Sequence, residues 1–193
     1  MTPRLISLSE ATPMPWRNGG GTTRELLTRP EEGDWRVRVS VAEIEVDGPF
    51  SPFPGVRRWF VVLEGGGVAL TIDGAERICR RGDAPLSFSG DARVACRLLQ
   101  GPSRDLNLML RDIPGGMQPV VAGEAWTPPV RGCGLYAKVA GRCRAEGTAI
   151  DIPAGHLAWF DAAPPALTFD PEDAIPDAIA GWWLTADSEE SDA

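Results

Sequence analysis

The sequence predicts an all-β protein, a double β-barrel or sandwich of short antiparallel strands with little helix. Three observations predict it. Apolar and polar residues alternate with a period of two over many short runs. The chain holds 22 glycines and 18 prolines, which place turn signals at regular intervals between those runs. A strand–glycine–strand rhythm recurs in the two halves, with Ile78-Cys79-Arg80-Arg81-Gly82-Asp83-Ala84 matched loosely by Ile150-Asp151-Ile152-Pro153-Ala154-Gly155-His156.

Taken in order, Thr22–Arg29 reads as a strand, because Thr23, Glu25 and Leu27 run straight out of glycines. A helix there is the alternative, since Thr22 and Glu25 have capping-box spacing. Trp35 to Val46 is a strand in which Trp35, Val37, Val39 and Val41 alternate with Arg36, Arg38 and Ser40. A slip of phase near Ala42–Ile44 suggests a bulge. Gly48 to Gly55 is a rigid loop with three prolines and two phenylalanines that can pin it to a core. Arg58–Leu63 and Val68–Ile72 form a hairpin around Glu64-Gly65-Gly66-Gly67, and Asp73-Gly74 marks a second tight turn. Ala75–Arg80, Pro85–Phe88, Ala92–Leu99 and Arg104–Asp112 follow as strands. In the last, Leu106, Leu108 and Leu110 face one way and Asp105, Asn107, Met109 and Arg111 the other. Pro114 to Pro129 is a loop-rich seam. Beyond it lie Gly134–Ala140, Cys143–Glu146, Thr148–Ile152, Leu157–Phe160 and Ala166–Phe169. Glu172–Ile179 is at most a short helical piece, and Ala180–Thr185 closes the sheet. The domain reading is a first half over 1–112, a second, smaller half over 113–184, and a disordered acidic tail over 185–193.

A 193-residue chain that is 43% hydrophobic can bury a core. Net charge is −8, and four of those charges (Asp187, Glu189, Glu190, Asp192) lie in the last seven residues. No basic run stands free of acids, so no nucleic-acid partner is expected. With no signal peptide and no apolar run of membrane length, a cytoplasmic protein without a membrane partner is expected. Lys138 is the only lysine, so arginine abundance follows a coding preference and does not by itself argue for anion binding. Cys79, Cys96, Cys133 and Cys143 lack Cys-x-x-Cys spacing and read as reduced thiols. With His156 as the only imidazole, neither a zinc site nor a Ser-His-Asp triad is supported.

The densest local signal is Trp16-Arg17-Asn18-Gly19-Gly20-Gly21-Thr22-Thr23-Arg24-Glu25. A run of glycines is tolerated where the backbone needs positive φ or where another chain or a ligand comes close. The run is not a phosphate loop, because no lysine is near. A tight turn and a ligand-lining segment both remain open.

The stretch Val61 to Gly65, through Asp73-Gly74 to Gly82-Asp83, resembles the core of a cupin barrel. Arg57-Arg58 and Asp91-Ala92-Arg93 stand where cupins carry their metal-binding histidines, so neither metal nor other cofactor is expected. A more specific resemblance is to the HutD/Ves family of cupin-like proteins. It is carried by Trp16 to Leu26, by Trp35-Arg36 with Ser40-Val41-Ala42, and by Gly48-Pro49-Phe50-Ser51 with Phe53-Pro54-Gly55 and Arg58. Leu63 to Gly67 and Asp105-x-Asn107-x-Met109-x-Arg111 complete it. The resemblance implies a bicupin fold and a link to histidine utilisation. It further implies binding of a pathway intermediate such as formylglutamate as a brake on the pathway.

The candidate ligand-binding residues are Trp16, Arg17, Asn18, Gly19, Gly20, Thr23, Glu25, Ser40, Arg58, Asp105, Asn107, Met109 and Arg111. Arg111 and Arg17 offer planar forks for a carboxylate, and Asn107 offers both donor and acceptor. The glycine-loop amides would read a formyl amide, and Ser40 could supply a hydroxyl. Glu25 inside a barrel needs an arginine partner, for which Arg58 or Arg111 are the candidates. Asp105 would hold Arg111 or accept from a ligand amide. Each residue has a plain structural alternative: a solvated sheet face, a surface arginine, a core tryptophan. The leading reading is a metal-free protein binding a small carboxylate metabolite in a regulatory role. In an enzymatic alternative, an isomerase or amide hydrolase, Glu25 or Asp105 would be the general base. A third reading is a ligand-free assembly module. A homodimer is compatible with all three, because β edges need cover.

Overall fold

The computed structural model describes residues 2–173 and 179–187. The chain is all-β, with 18 strands and no helix among the described residues. Among the described residues no helix is long and apolar enough to cross a membrane. Two compact units divide it, Ala11–Asp112 and a second made of Met1–Glu10 with Ile113–Ala193.

In the Ala11–Asp112 unit the strands are β2 (Pro13–Pro15), β3 (Gly21–Arg29), β4 (Val37–Ile44), β5 (Gly48–Pro49), β6 (Val56–Gly65) and β7 (Val68–Ile72). They continue with β8 (Ala75–Cys79), β9 (Leu86–Ser89), β10 (Val94–Leu98) and β11 (Ser103–Arg111). A six-stranded sheet has the order β2-β3-β4-β11-β6-β9, and a four-stranded sheet the order β5-β10-β7-β8. Period-2 patterning explains the strands, since one parity is apolar from Val37 to Val41 in β4 and from Leu106 to Leu110 in β11. Val37, Val39, Val41, Leu106, Leu108 and Leu110 are at most 1% exposed. The other parity packs with the four-stranded sheet in a core of Ile44, Phe60, Val62, Val68, Leu70, Phe88 and Val94. The four-stranded sheet thus packs on the polar parity of the six-stranded sheet and turns it into an interior surface. One charged row helps to hold register: Thr22, Glu43, Arg104 and Glu64 lie opposite one another across four strands. Arg104 bridges Glu43 at 2.7 Å and Glu64 at 2.9 Å.

The second unit holds β1 (Arg4–Ser7), β12 (Gly115–Pro119), β13 (Gly132–Ala137), β14 (Gly141–Ala145), β15 (Thr148–Ile152), β16 (His156–Phe160), β17 (Leu167–Pro171) and β18 (Gly181–Ala186). Its sheets run β1-β16-β13-β18-β12 and β15-β14-β17. Leu135, Phe160, Leu167, Phe169 and Trp183 fill its core, and Trp183 stacks on Trp126 at 4.5 Å between centroids. Trp182 is buried too, beside Tyr136.

Several expectations need correction. Residues 2–10 group with the second unit, not the first, because β1 pairs with β16. Thr185 and Ala186 are buried in β18, so the tail does not begin at 185, while 188–193 lie outside the described residues. Most of the proposed helical piece, 174–178, also lies outside them. The bulges fall in β3, between Glu25 and Leu27, and in β6 at Leu63, opposite the Arg104–Asp105 step, rather than at Ala42–Ile44. Within the Pro114–Pro129 seam, Gly115–Pro119 forms a strand because β18 offers it a full ladder.

Candidate functional site

The polar parity of the six-stranded sheet lies in rows set by strand register. Thr23, Ala42, Asp105 and Val62 form one row; Glu25, Ser40, Asn107 and Phe60 the next; Arg38, Met109, Arg58 and Phe88 the third. Directly opposed residues share a face in an antiparallel sheet. The structure thus brings together Thr23, Glu25, Ser40, Arg58, Asp105, Asn107 and Met109, seven of the expected site residues. Ser40, Arg58, Asp105, Asn107 and Met109 are all buried.

Arg58 is the centre of this surface. It is 6% exposed. Its guanidinium lies over the rings of Phe50 (5.1 Å), Phe53 (5.6 Å) and Phe88 (5.1 Å), an aromatic enclosure that suits a cation. Nη2 donates to Asn107 Oδ1 at 3.0 Å, and Nε has no partner. Among the described residues no carboxylate lies within ion-pair distance of it. Burial, and then the charge of Arg38, push its pKa down to about 10. Asn107 is oriented by a second bond, Nδ2 donating to the Asp105 carbonyl at 3.4 Å. Asp105 is fully buried. Oδ1 accepts from Ser103 Oγ at 2.8 Å and Oδ2 has no partner. Burial raises its pKa to about 8, against the opposing pull of the Ser103 hydroxyl. Glu25 accepts from Arg38 Nε at 2.8 Å, with side-chain exposures of 36% and 15%.

Glu25 is therefore paired with Arg38, and neither Arg58 nor Arg111 fills that role. Glu25 lies opposite Ser40, and Arg38, two residues from Ser40, is its diagonal neighbour. Asp105 does not hold Arg111. Six residues of extended chain separate them. Arg111 instead lies over Trp35 at 5.2 Å and donates from Nη1 to the Pro54 carbonyl at 3.3 Å.

The glycine loop between β2 and β3 is explained by its own backbone. Gly19 has φ +70°, and a Cβ on Gly21 would come within 2.1 Å of the Glu43 carbonyl oxygen. The Gly19 N–H donates to the Trp16 carbonyl (3.0 Å) and the Gly20 N–H to Asn18 Oδ1 (3.1 Å), so both amides are engaged inside the loop. Arg17 and Asn18 are exposed. Trp16 ties the loop to the interior: its Nε1 donates to Thr23 Oγ1 at 2.7 Å, and its ring meets Phe50 edge-on at 6.4 Å. Sequence reasoning missed Arg38 and Phe88. Arg38 shares parity with Ser40 and was legible on that ground; Phe88 required the β6–β9 pairing.

The four cysteines are buried free thiols, and burial pushes each pKa up, to about 11 or 12. His156 Nδ1 donates to the Ala154 carbonyl at 3.1 Å. Among the described residues, no three His, Cys, Asp or Glu side chains are grouped to hold a metal ion.

Comparison with known proteins places this arrangement. The family model described as HutD matches residues 8–124. An uncharacterized 21.2 kDa protein in the hutC 3' region of Pseudomonas putida is 41% identical over 109 residues, covering 55% of this chain and 57% of that protein. Protein Ves of Citrobacter koseri is 43% identical over 98 residues, covering 50% of this chain and 51% of its own. The chain thus matches about half the length of these relatives. The solved structure of HutD from Pseudomonas fluorescens SBW25 shares the fold, with a TM-score of 0.81 at 24% identity over 96% of this chain and 98% of that one.

Proposed function

Because the chain belongs to the HutD family, we propose that it binds a small carboxylated metabolite inside the Ala11–Asp112 unit, with Arg58 as the anion anchor. The observation that carries this reading is a buried guanidinium with an unpartnered Nε and, among the described residues, no carboxylate within ion-pair distance. An uncompensated buried charge is costly, whereas a bound anion would neutralise it and complete its hydrogen bonds. Asn107 holds the fork in place, and the three phenylalanines exclude water from it. The resemblance to HutD points to an intermediate of histidine degradation, formylglutamate first, and to a regulatory role in which occupancy signals metabolite level.

Thermal stabilisation tests this directly against urocanate, formiminoglutamate, formylglutamate and glutamate. At a hundredfold excess over its Kd a ligand adds about 2.7 kcal/mol. A selective rise in Tm with one acid supports the reading, and no rise with any of the four refutes the histidine link. One observation favours the enzymatic alternative: Asp105 is buried with a free Oδ2 and a raised pKa, the setting of a general base. Turnover of the bound acid that Asp105→Asn abolishes while binding persists would establish it.

A further inference from the structure

Arg58 is not the only cation on this surface. Met109 lies directly opposite Arg38 on one side and Arg58 on the other, so the two arginines flank it in a single row. Two strand spacings separate their backbones, about 10 Å, a gap that two arginine side chains can close toward one small ligand. The two guanidinium groups already sense each other, since the charge of Arg38 lowers the pKa of Arg58. Their circumstances differ. Arg58 has no anion, while Arg38 uses its Nε for Glu25. Glu25 is the more exposed member of that pair, at 36% against 15%. Losing its partner would return Glu25 to water at little cost, whereas Arg38 would need a replacement anion.

We infer that the Arg58 site takes a short dicarboxylate, with one carboxylate on Arg58 and the other displacing Glu25 from Arg38. Glu25 is then an internal placeholder for the second carboxylate. Arg38 is the residue that discriminates two-headed from one-headed acids. The inference rests on Arg58 being the anion anchor and adds the second pole and the partner exchange. Monocarboxylates reach Arg58 but leave the Glu25–Arg38 pair closed.

The test is calorimetric titration of the full chain with glutarate and with butyrate, a two-headed and a one-headed probe of similar length. A charged hydrogen-bonded contact shifts affinity about tenfold or more. The wild-type protein is expected to prefer glutarate by that factor, and Arg38→Gln to bring glutarate down to the level of butyrate. Glu25→Gln, which removes the competing carboxylate, is expected to widen the preference for glutarate. If Arg38→Gln fails to fold, the Glu25→Gln titration decides alone. An unchanged glutarate-to-butyrate ratio in these variants, with butyrate binding still lost in Arg58→Gln, overturns the two-arginine clamp and leaves the single anchor standing. Absence of binding by either acid to the wild-type protein overturns both.

Discussion

Arg58 donates from Nη2 to Oδ1 of Asn107 at 3.0 Å, and both side chains are buried. A neutral amide is thus the polar partner of an interior cation. It orients the guanidinium without neutralising it and leaves the charge available to an incoming anion.

Replacing that amide by a carboxylate should therefore close the site. Asn107→Asp gives Arg58 an internal counter-ion of the same shape. We expect the ligand-free protein to melt no lower than wild type and carboxylate binding to weaken by at least about tenfold. Melting curves with and without a carboxylate ligand check both halves; retained ligand stabilisation would show that the charge on Arg58 is not what the ligand uses.

Asp105 makes stability depend on pH in a direction opposite to most carboxylates. Its pKa is raised to about 8 in the folded protein, against about 3.9 in an unfolded chain. Between those values the unfolded chain releases a proton that the folded one keeps, so stability falls as pH rises through the window. The thiols of Cys79 and Cys96, which sense Asp105, stay neutral across it. Asp105→Asn imitates the protonated acid. Denaturant titrations from pH 4 to 9 should show the variant gaining on wild type with rising pH, most at the alkaline end. Parallel profiles would contradict the assignment.

The glycine loop separates two kinds of constraint. Gly21→Ala would press a methyl group against the Glu43 carbonyl across the β3–β4 pair, where backbone must move. It should cost about 1–3 kcal/mol or more. Gly19→Ala meets nothing within 4 Å and suffers only its positive φ, about 1–2 kcal/mol. Chemical denaturation of the two variants should rank them in that order.

The parity of Asp105, Asn107, Met109 and Arg111 was readable from sequence, because a strand has only two faces and three leucines mark one of them. What covered the polar face was not readable, since it depends on the four-stranded sheet closing over it. The partner of Glu25 depended on the β3–β4 register, which periodicity does not reveal. Without it, Arg38 is just another polar residue between valines. β1 escaped notice for a related reason. Arg4–Ser7 is short, and its ladder is completed by His156–Trp159, some 150 residues away along the chain. The aromatic enclosure of Arg58 draws on Phe50, Phe53 and Phe88, from a loop and an edge strand whose approach is set by tertiary packing.

The most direct measurement is a calorimetric titration of formylglutamate into wild type and Arg58→Met. Methionine fills similar space without charge, and replacing an unpaired buried ion by an apolar group tends to stabilise. The account predicts saturable binding to wild type and none to Arg58→Met, which should melt at or above the wild-type temperature. Equal affinity in the two proteins would contradict it.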